Sequence, residues 1–493
     1  MKLPTVVPPA PASARRCILR TCAAALLATL VAACASVPSA PYDAQAGARA
    51  LGARRLDDPG LRALLDRFGL DAAPEAAWTP DRVTVAALYF DPALASARAA
   101  AMRAAADAER AVQRANPTLS LTPEKVYQAA AGGAASPWTI TLGLAFQLLH
   151  PGQRAARRAG AEAATAAAGY DAAEAVWASR SRAVGALRGV LLARRAETLA
   201  AEAAAADAAW SASAQRRLAA GESDRSEWLL AQDAAARAAA ATQARAQARV
   251  AAEHALAGAL GVPRAALADA RLEWPGLDAP PAPDALPPAA LAEDAAWNRL
   301  DLQALLARYR GAEAQLREAA GTRWPQLGVA PGYIYDRGDR KFSFGVDVEL
   351  PLFHGAGATI RAAAAARDEA AAAVRQRQAA ILGGMDAARA DYAARYRGWR
   401  SLRRAADAAA RAQAQAQAAL AAGAGDRPTL LQARAHSAES ELAALDGLAS
   451  VLDALGALED AVQRPLWPAS RLPDSARLAA AHTQGAPADV RHD

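Results

Sequence analysis

Cysteine is nearly absent. Cys17, Cys22 and Cys34 are the only three in 493 residues, and none follows residue 34. A disulfide framework and a cysteine metal cluster are thereby excluded from the rest of the chain. Aromatics make up only 5% and Met occurs three times, a composition suited to long helices packed through small side chains, here mostly Ala. Basic excess is also small once it is located. The formal charge is +6, but Lys2, Arg15, Arg16 and Arg20 lie in the first 33 residues, which carry no acid, so the remainder holds only +2. Intermixed Arg, Asp and Glu with so slight an excess leave no phosphate-binding footprint, and no nucleic-acid partner is expected. No Gly-rich loop runs into Lys and Ser or Thr, so a nucleotide-binding loop is missing. The six histidines, His150, His254, His354, His436, His482 and His492, are scattered without a His-x-x-x-His spacing. No catalytic residue, metal site or cofactor is expected, and a hydrolytic enzyme would need a pocket assembled from distant positions.

The N-terminus reads as a targeting segment: basic residues to Arg20, then an apolar run from Cys22 to Val31, then small residues. That run is about half the roughly 20 residues a spanning helix needs. The junction Val31-Ala32-Ala33-Cys34 resembles a bacterial lipobox. The resemblance implies cleavage of residues 1–33 as a lipoprotein signal peptide and acylation of Cys34, palmitate included. The following Ala35 and Ser36 offer no aspartate of the inner-membrane retention type.

Past residue 80 the chain repeats itself. Pro117-Thr-Leu-Ser-Leu-Thr-Pro123 returns as Pro325-Gln-Leu-Gly-Val-Ala-Pro331, 208 residues on. Leu149-His150 returns as Phe353-His354 (offset 204), and Leu218-Ala-Ala-Gly221 as Leu420-Ala-Ala-Gly423 (offset 202). Matches in constant order at a nearly constant offset mark an internal duplication. Each copy reads as a helix (91–115 and 298–322), two strands, a very long helix, a short turn and another helix. No proline occurs from 152 to 262 or from 352 to 427. A helix over 152–220 is about 100 Å long, a rod that needs neighbouring rods. Leu442, Leu445, Leu448, Leu452, Leu455, Leu458 and Val462 recur every three or four residues as a coiled-coil-like seam. Gly383-Gly384 is expected to loosen or bend the second rod. The organisation is then 1–33 signal peptide, 34–80 anchor and equatorial segment, 81–262 repeat 1, 263–297 Pro-rich linker, 298–465 repeat 2, and 466–493 tail.

Two strand segments alternate strictly. Phe342, Phe344, Val346, Val348 and Leu350 face one way against Lys341, Ser343, Gly345, Asp347 and Glu349. Trp138, Ile140, Leu142, Leu144, Phe146 and Leu148 do the same against Thr139, Thr141, Gly143, Ala145 and Gln147. Both are about ten residues, the length a tilted strand needs to cross a bilayer. Their partners, 117–127 and 325–335, alternate less cleanly around Pro123 and Pro331. A soluble half-buried sheet has the same period, but the chain holds no obvious layer to cover these strands. Four strands cannot close a barrel, since the smallest outer-membrane barrels have about eight. Spanning strands would have to be shared among several copies.

This order of elements resembles the TolC-like family of outer-membrane efflux and secretion channels over residues 80–468. The resemblance implies a mainly α fold with a small β part. Duplicated long-helix hairpins would form an α-barrel, and four strands would contribute to a trimeric transmembrane β-barrel. It implies a homotrimer in outer-membrane lipid, extending into the periplasm and working with a periplasmic adaptor and an inner-membrane transporter as a passive conduit for export. The lipid-facing strand residues would be Trp138, Ile140, Leu142, Phe342, Phe344, Val346 and Val348. The turns Gly221-Glu222-Ser223-Asp224 and Gly423, Gly425 and Asp426 would be the periplasmic tips where the adaptor docks. Read from residue chemistry alone, the same turns are well-capped helical hairpins with a small residue required at Gly221. Trp138, Trp324 and Phe353 flank strand ends and fit either interfacial aromatics or buried core. Asp386 and Asp391 fit a solvated rod face or a lumen lining. The competing architecture is a helical scaffold or adaptor-like lipoprotein with a soluble sheet.

Overall fold

The structure, a computed structural model, describes residues 39–127, 136–148, 150–287, 296–349, 356–468, 470–475 and 477–479. Cys34 with its lipobox, Leu350, Phe353, His354, His482 and His492 lie outside them. Residues up to Gly52 form one unit, which carries helix α1 (Ala44–Gly52), and the chain from Ala53 forms another.

Prolines start the first four helices of the second unit. Pro59, Pro80, Pro92 and Pro151 stand in the first turns of α2 (Pro59–Arg67), α3 (Pro80–Phe90), α4 (Pro92–Val112) and α5 (Pro151–Ala219), where the missing N–H has no helical partner to lose. Strands β1 (Thr118–Lys125) and β2 (Trp138–Leu148) lie between α4 and α5, and α6 (Arg225–Leu260) returns along α5. The second repeat follows the same plan: α7 (Leu300–Gly321), β3 (Leu327–Asp336), β4 (Asp339–Val348), α8 (Gly357–Ala421) and α9 (Arg427–Val462). At 69 and 65 residues, α5 and α8 are each about 100 Å long. Helix α8 runs through Gly383 and Gly384 without interruption. Flanking alanines of high helix propensity carry the ladder past two residues that cost about 1 kcal/mol each.

Rod α5 packs against α4 and α6 as well as α7 and α9, while α8 packs against α7 and α9. The shorter helices meet at the middle of the rods, and each meeting point is held by one arginine. Arg54 Nη1 donates to Phe90 O and Gly261 O, both at 2.7 Å, joining the end of α3 to the end of α6. Gly261 is required there: its φ is +70°, and a Cβ would stand 2.8 Å from Phe90 O. In the second repeat, Arg299 Nη1 donates to Asp460 O at 2.8 Å and to Ala461 O, joining α7 to the end of α9.

The main core surrounds these junctions. Leu61, Leu65, Trp78, Val83, Val85 and Leu256 pack on Ala183, Val184, Leu187 and Val190 at the midpoint of α5. The α9 seam from Leu445 to Leu458 packs on Tyr392 and Trp399 of α8 and on Leu192 of α5. Tyr392, fully buried, donates its hydroxyl to Pro281 O at 2.5 Å and so fastens the inter-repeat segment to α8. The C-terminal segment is tied to α3 by Asp81, which accepts from Ser470 Oγ at 2.6 Å and Arg471 N at 3.0 Å.

Candidate functional site

The four strands form one antiparallel sheet in the order β1-β2-β3-β4, and the β2–β3 pairing unites the two repeats. The register aligns the large apolar residues of the strands on one face, Ile334 excepted. Leu121 lies opposite Leu142, Leu142 opposite Tyr333, and Tyr333 opposite Phe342. The other face carries small and polar residues, as in the row Ser120, Gly143, Gly332 and Ser343. Pro331 stands in an interior strand, where it has no N–H to give. The β2–β3 register accordingly skips Leu144 and Ala145, opposite Pro331 and Ala330 respectively. Pro123 lies in β1 at the sheet edge, where the loss is harmless.

Among the described residues no second layer covers either face. Trp138, Ile140, Leu142, Phe342, Phe344, Val346 and Val348 all fall on the apolar face and are exposed, from 38% at Ile140 to 76% at Phe342. The outer edges of β1 and β4 have no partner strand in the sheet. A contiguous apolar face of this kind needs an apolar contact, and open edges need more strands. At the rod-side end, His150 caps α5 by accepting from Gly152 N at 3.2 Å and stacks on Trp324, with ring centroids 5.8 Å apart.

The opposite rod ends carry the two predicted turns. Gly221 and Gly423 have φ of +77° and +72°, and carbonyls near the ends of α5 and α8 accept from the turn: Glu222 N donates to Arg217 O at 2.8 Å, and Ala424 N to Ala419 O at 2.9 Å. Asp224 and Asp426 then cap α6 and α9, accepting from Glu227 N and Thr429 N, both at 2.8 Å. Hydrogen bonds from Ser226 to Asp224 and from Thr429 to Asp426 hold both carboxyls below their ordinary range. In the first turn, Ser223 donates to Glu227, which Arg217 also grips at 2.8 Å. Glu222 and Gly425 complete the two turns, and a Cβ on Gly425 would stand 3.1 Å from Ala419 Cβ. Nothing lies within 4 Å of a Cβ built at Gly221 or Gly423. Both glycines are therefore demanded by backbone conformation, and the small residue expected at Gly221 is not imposed by crowding.

Sequence reasoning missed the polar contacts between repeats. Arg245 of α6 makes a two-pronged bridge to Asp446 of α9 (2.9 and 2.6 Å), and Arg188 of α5 pairs with Asp453 at 2.6 Å. Buried Glu459 accepts from Leu466 N and Trp467 N at 2.6 and 2.9 Å, and burial pushes its carboxyl up despite the nearby Arg180. Asp301 receives Arg299 at 2.7 Å together with Arg377.

Residues 291–462 match the family model for outer membrane efflux proteins. That match covers the second repeat through the end of α9. This repeat and the first are built alike, and solved structures match both together. A membrane protein from Pseudomonas aeruginosa is 23% identical over 78% of this chain and 90% of its own, with a TM-score of 0.64. The Vibrio cholerae outer membrane protein VceC is 18% identical over 78% and 96%, with a TM-score of 0.63. The Campylobacter jejuni outer membrane channel CmeC is 14% identical over 91% and 97%, with a TM-score of 0.64. These likenesses show the shared fold of outer-membrane channels, mainly α with a small four-stranded sheet. No curated protein matches the sequence.

Proposed function

We propose that the chain is an outer-membrane channel subunit. Three copies share a twelve-stranded barrel and continue as a hollow helical duct into the periplasm, and the assembly acts as a passive conduit rather than an enzyme. The observation that carries this reading is the sheet itself. It has one apolar and one polar face, both bare, and two open edges. A scaffold with a soluble sheet would cover the apolar face, and among the described residues nothing does. Among those residues no helix is long and apolar enough to cross a membrane. Three copies supply twelve strands, above the roughly eight of the smallest outer-membrane barrels.

In this reading Trp138, Ile140, Leu142, Phe342, Phe344, Val346 and Val348 meet lipid. The turns at Gly221–Asp224 and Gly423–Asp426 are the tips that meet a periplasmic adaptor, which links the duct to an inner-membrane transporter. The purified protein should conduct ions in planar bilayers. Gly221→Trp should assemble and conduct equally, because its side chain has open space and the backbone strain at φ +77° is only about 1–2 kcal/mol. Export in cells and adaptor crosslinking should fail in that variant. A wild type that never conducts would overturn the channel reading, and a Gly221→Trp variant with full crosslinking would overturn the docking role of the tips.

Lipidation of Cys34 rests on the lipobox resemblance. Mass spectrometry of the mature N-terminus should find an acylated Cys34, and Cys34→Ala should lose the acyl mass while the barrel keeps the protein in the membrane. A mature chain starting elsewhere without lipid would end the assignment.

A further inference from the structure

The two faces of the sheet treat charge differently. Across the four strands, every acid, Glu124, Asp336, Asp339 and Asp347, stands on the small and polar face. The cation of that face is neutralised locally: Lys341 Nζ donates to Asp336 at 2.6 Å. The apolar face holds two cations, Lys125 opposite Trp138 and Arg340 opposite Tyr335, and no acid. Lys125 Nζ lies 5.1 Å from the ring of Tyr127 and 5.7 Å from that of Trp138. Neither Lys125 nor Arg340 has an ion pair among the described residues, and residues 128–135 carry no charge in their sequence.

Both cations stand at the same end of the sheet, the hairpin end remote from the rods. A cation on a lipid-facing strand is tolerated at headgroup depth, where aromatics also gather. It attracts there whatever anion the headgroups supply. Lys125 lies on edge strand β1 and Arg340 on edge strand β4. Pairing β4 of one copy with β1 of the next puts the two cations on one face at one seam. A forked guanidinium beside a point-charge ammonium suits a phosphate oxygen cluster.

We propose that Arg340 and the partner subunit's Lys125 bind the phosphate of an outer-leaflet lipid at each subunit seam, with Trp138 and Tyr335 against its acyl and sugar portions. The proposal rests on the membrane-channel reading above. The test is native mass spectrometry of the purified assembly, sized before lipid is added. The probes are diphosphorylated lipid A, the same lipid stripped of phosphate, and inorganic phosphate. Wild type should retain the phosphorylated lipid preferentially. Lys125→Gln and Arg340→Gln should each lower retention about fivefold, and together about 25-fold, while Lys341→Gln on the other face should leave it unchanged. Equal retention of the two lipids, or full retention by the double variant, would overturn the site. Displacement of the lipid by an equal concentration of inorganic phosphate would overturn its assignment to lipid. A chain that sizes as a soluble monomer would overturn the channel reading, and this site with it.

Discussion

Val346→Arg is expected to prevent stable insertion, whereas Ser343→Arg, three residues away, is expected to be tolerated. Val346 is 57% exposed on the apolar face and lies opposite Val329. An Arg on a barrel's lipid face near mid-bilayer costs about 2–4 kcal/mol per chain, and the proposed trimer would repeat it three times, for about 6–12 kcal/mol per barrel. Ser343 belongs to the opposite row with Gly332, Gly143 and Ser120. In the proposed barrel an Arg there would project into the water-filled interior and cost little beyond local crowding. Membrane extraction and native sizing read the result: Val346→Arg should leave little membrane trimer, and Ser343→Arg near the wild-type amount. Equal outcomes for the two variants would remove the distinction between the faces and favour a soluble sheet.

Asp301→Ala should have the largest effect on the stability of a single chain, about 3–5 kcal/mol. Its side chain is 11% exposed and receives Arg299, itself 8% exposed, at 2.7 Å together with Arg377. Removing the carboxylate strands a buried guanidinium that must also hold Asp460 O and Ala461 O at the α7–α9 junction. Burial pushes the Asp301 carboxyl up, but the two guanidiniums outweigh it and the net position is below the ordinary carboxylate range. A lowered acid contributes stability that is complete above its unfolded pKa and is lost as pH falls through the folded one. Denaturant unfolding of the wild type should thus weaken through that acid window, and Asp301→Ala should lack this component. A variant within 1 kcal/mol of wild type would show that the carbonyl contacts suffice to hold Arg299.

The large elements were legible because each is dictated by its own residues. Strict alternation places Phe342, Phe344, Val346 and Val348 on one face whatever the rest of the chain does. The long helix expected over 152–220 is Pro151–Ala219, because no proline interrupts it and Gly221 ends it. The equatorial pieces were harder. Helix α3 is buried on nearly every side, so its run Val83-Thr-Val-Ala-Ala-Leu88 shows no helical period to read. The clamps made by Arg54 and Arg299 join residues 207 and 161 positions apart. Nothing in their local sequence sets these arginines apart from the many that line the rods as solvated charges. Gly383-Gly384 misled in the other direction, since a local propensity for bending is overridden by a 65-residue helix packed along its length.

The edges of this chain are unlike one another. Rod α8 and strand β4 end one side, while α4, α6 and β1 end the other. A copy can therefore join only head to tail, and every incomplete ring keeps one bare end of each kind until the last seam closes. In the proposed trimer, a single chain with a spoiled edge leaves its ring open, however sound the other two are. With equal amounts of sound and spoiled chains mixed at random, only about one ring in eight would close from sound copies alone. Defects at the seams should therefore be inherited as dominant, whereas defects inside one chain's own core would remove that chain and spare the rest.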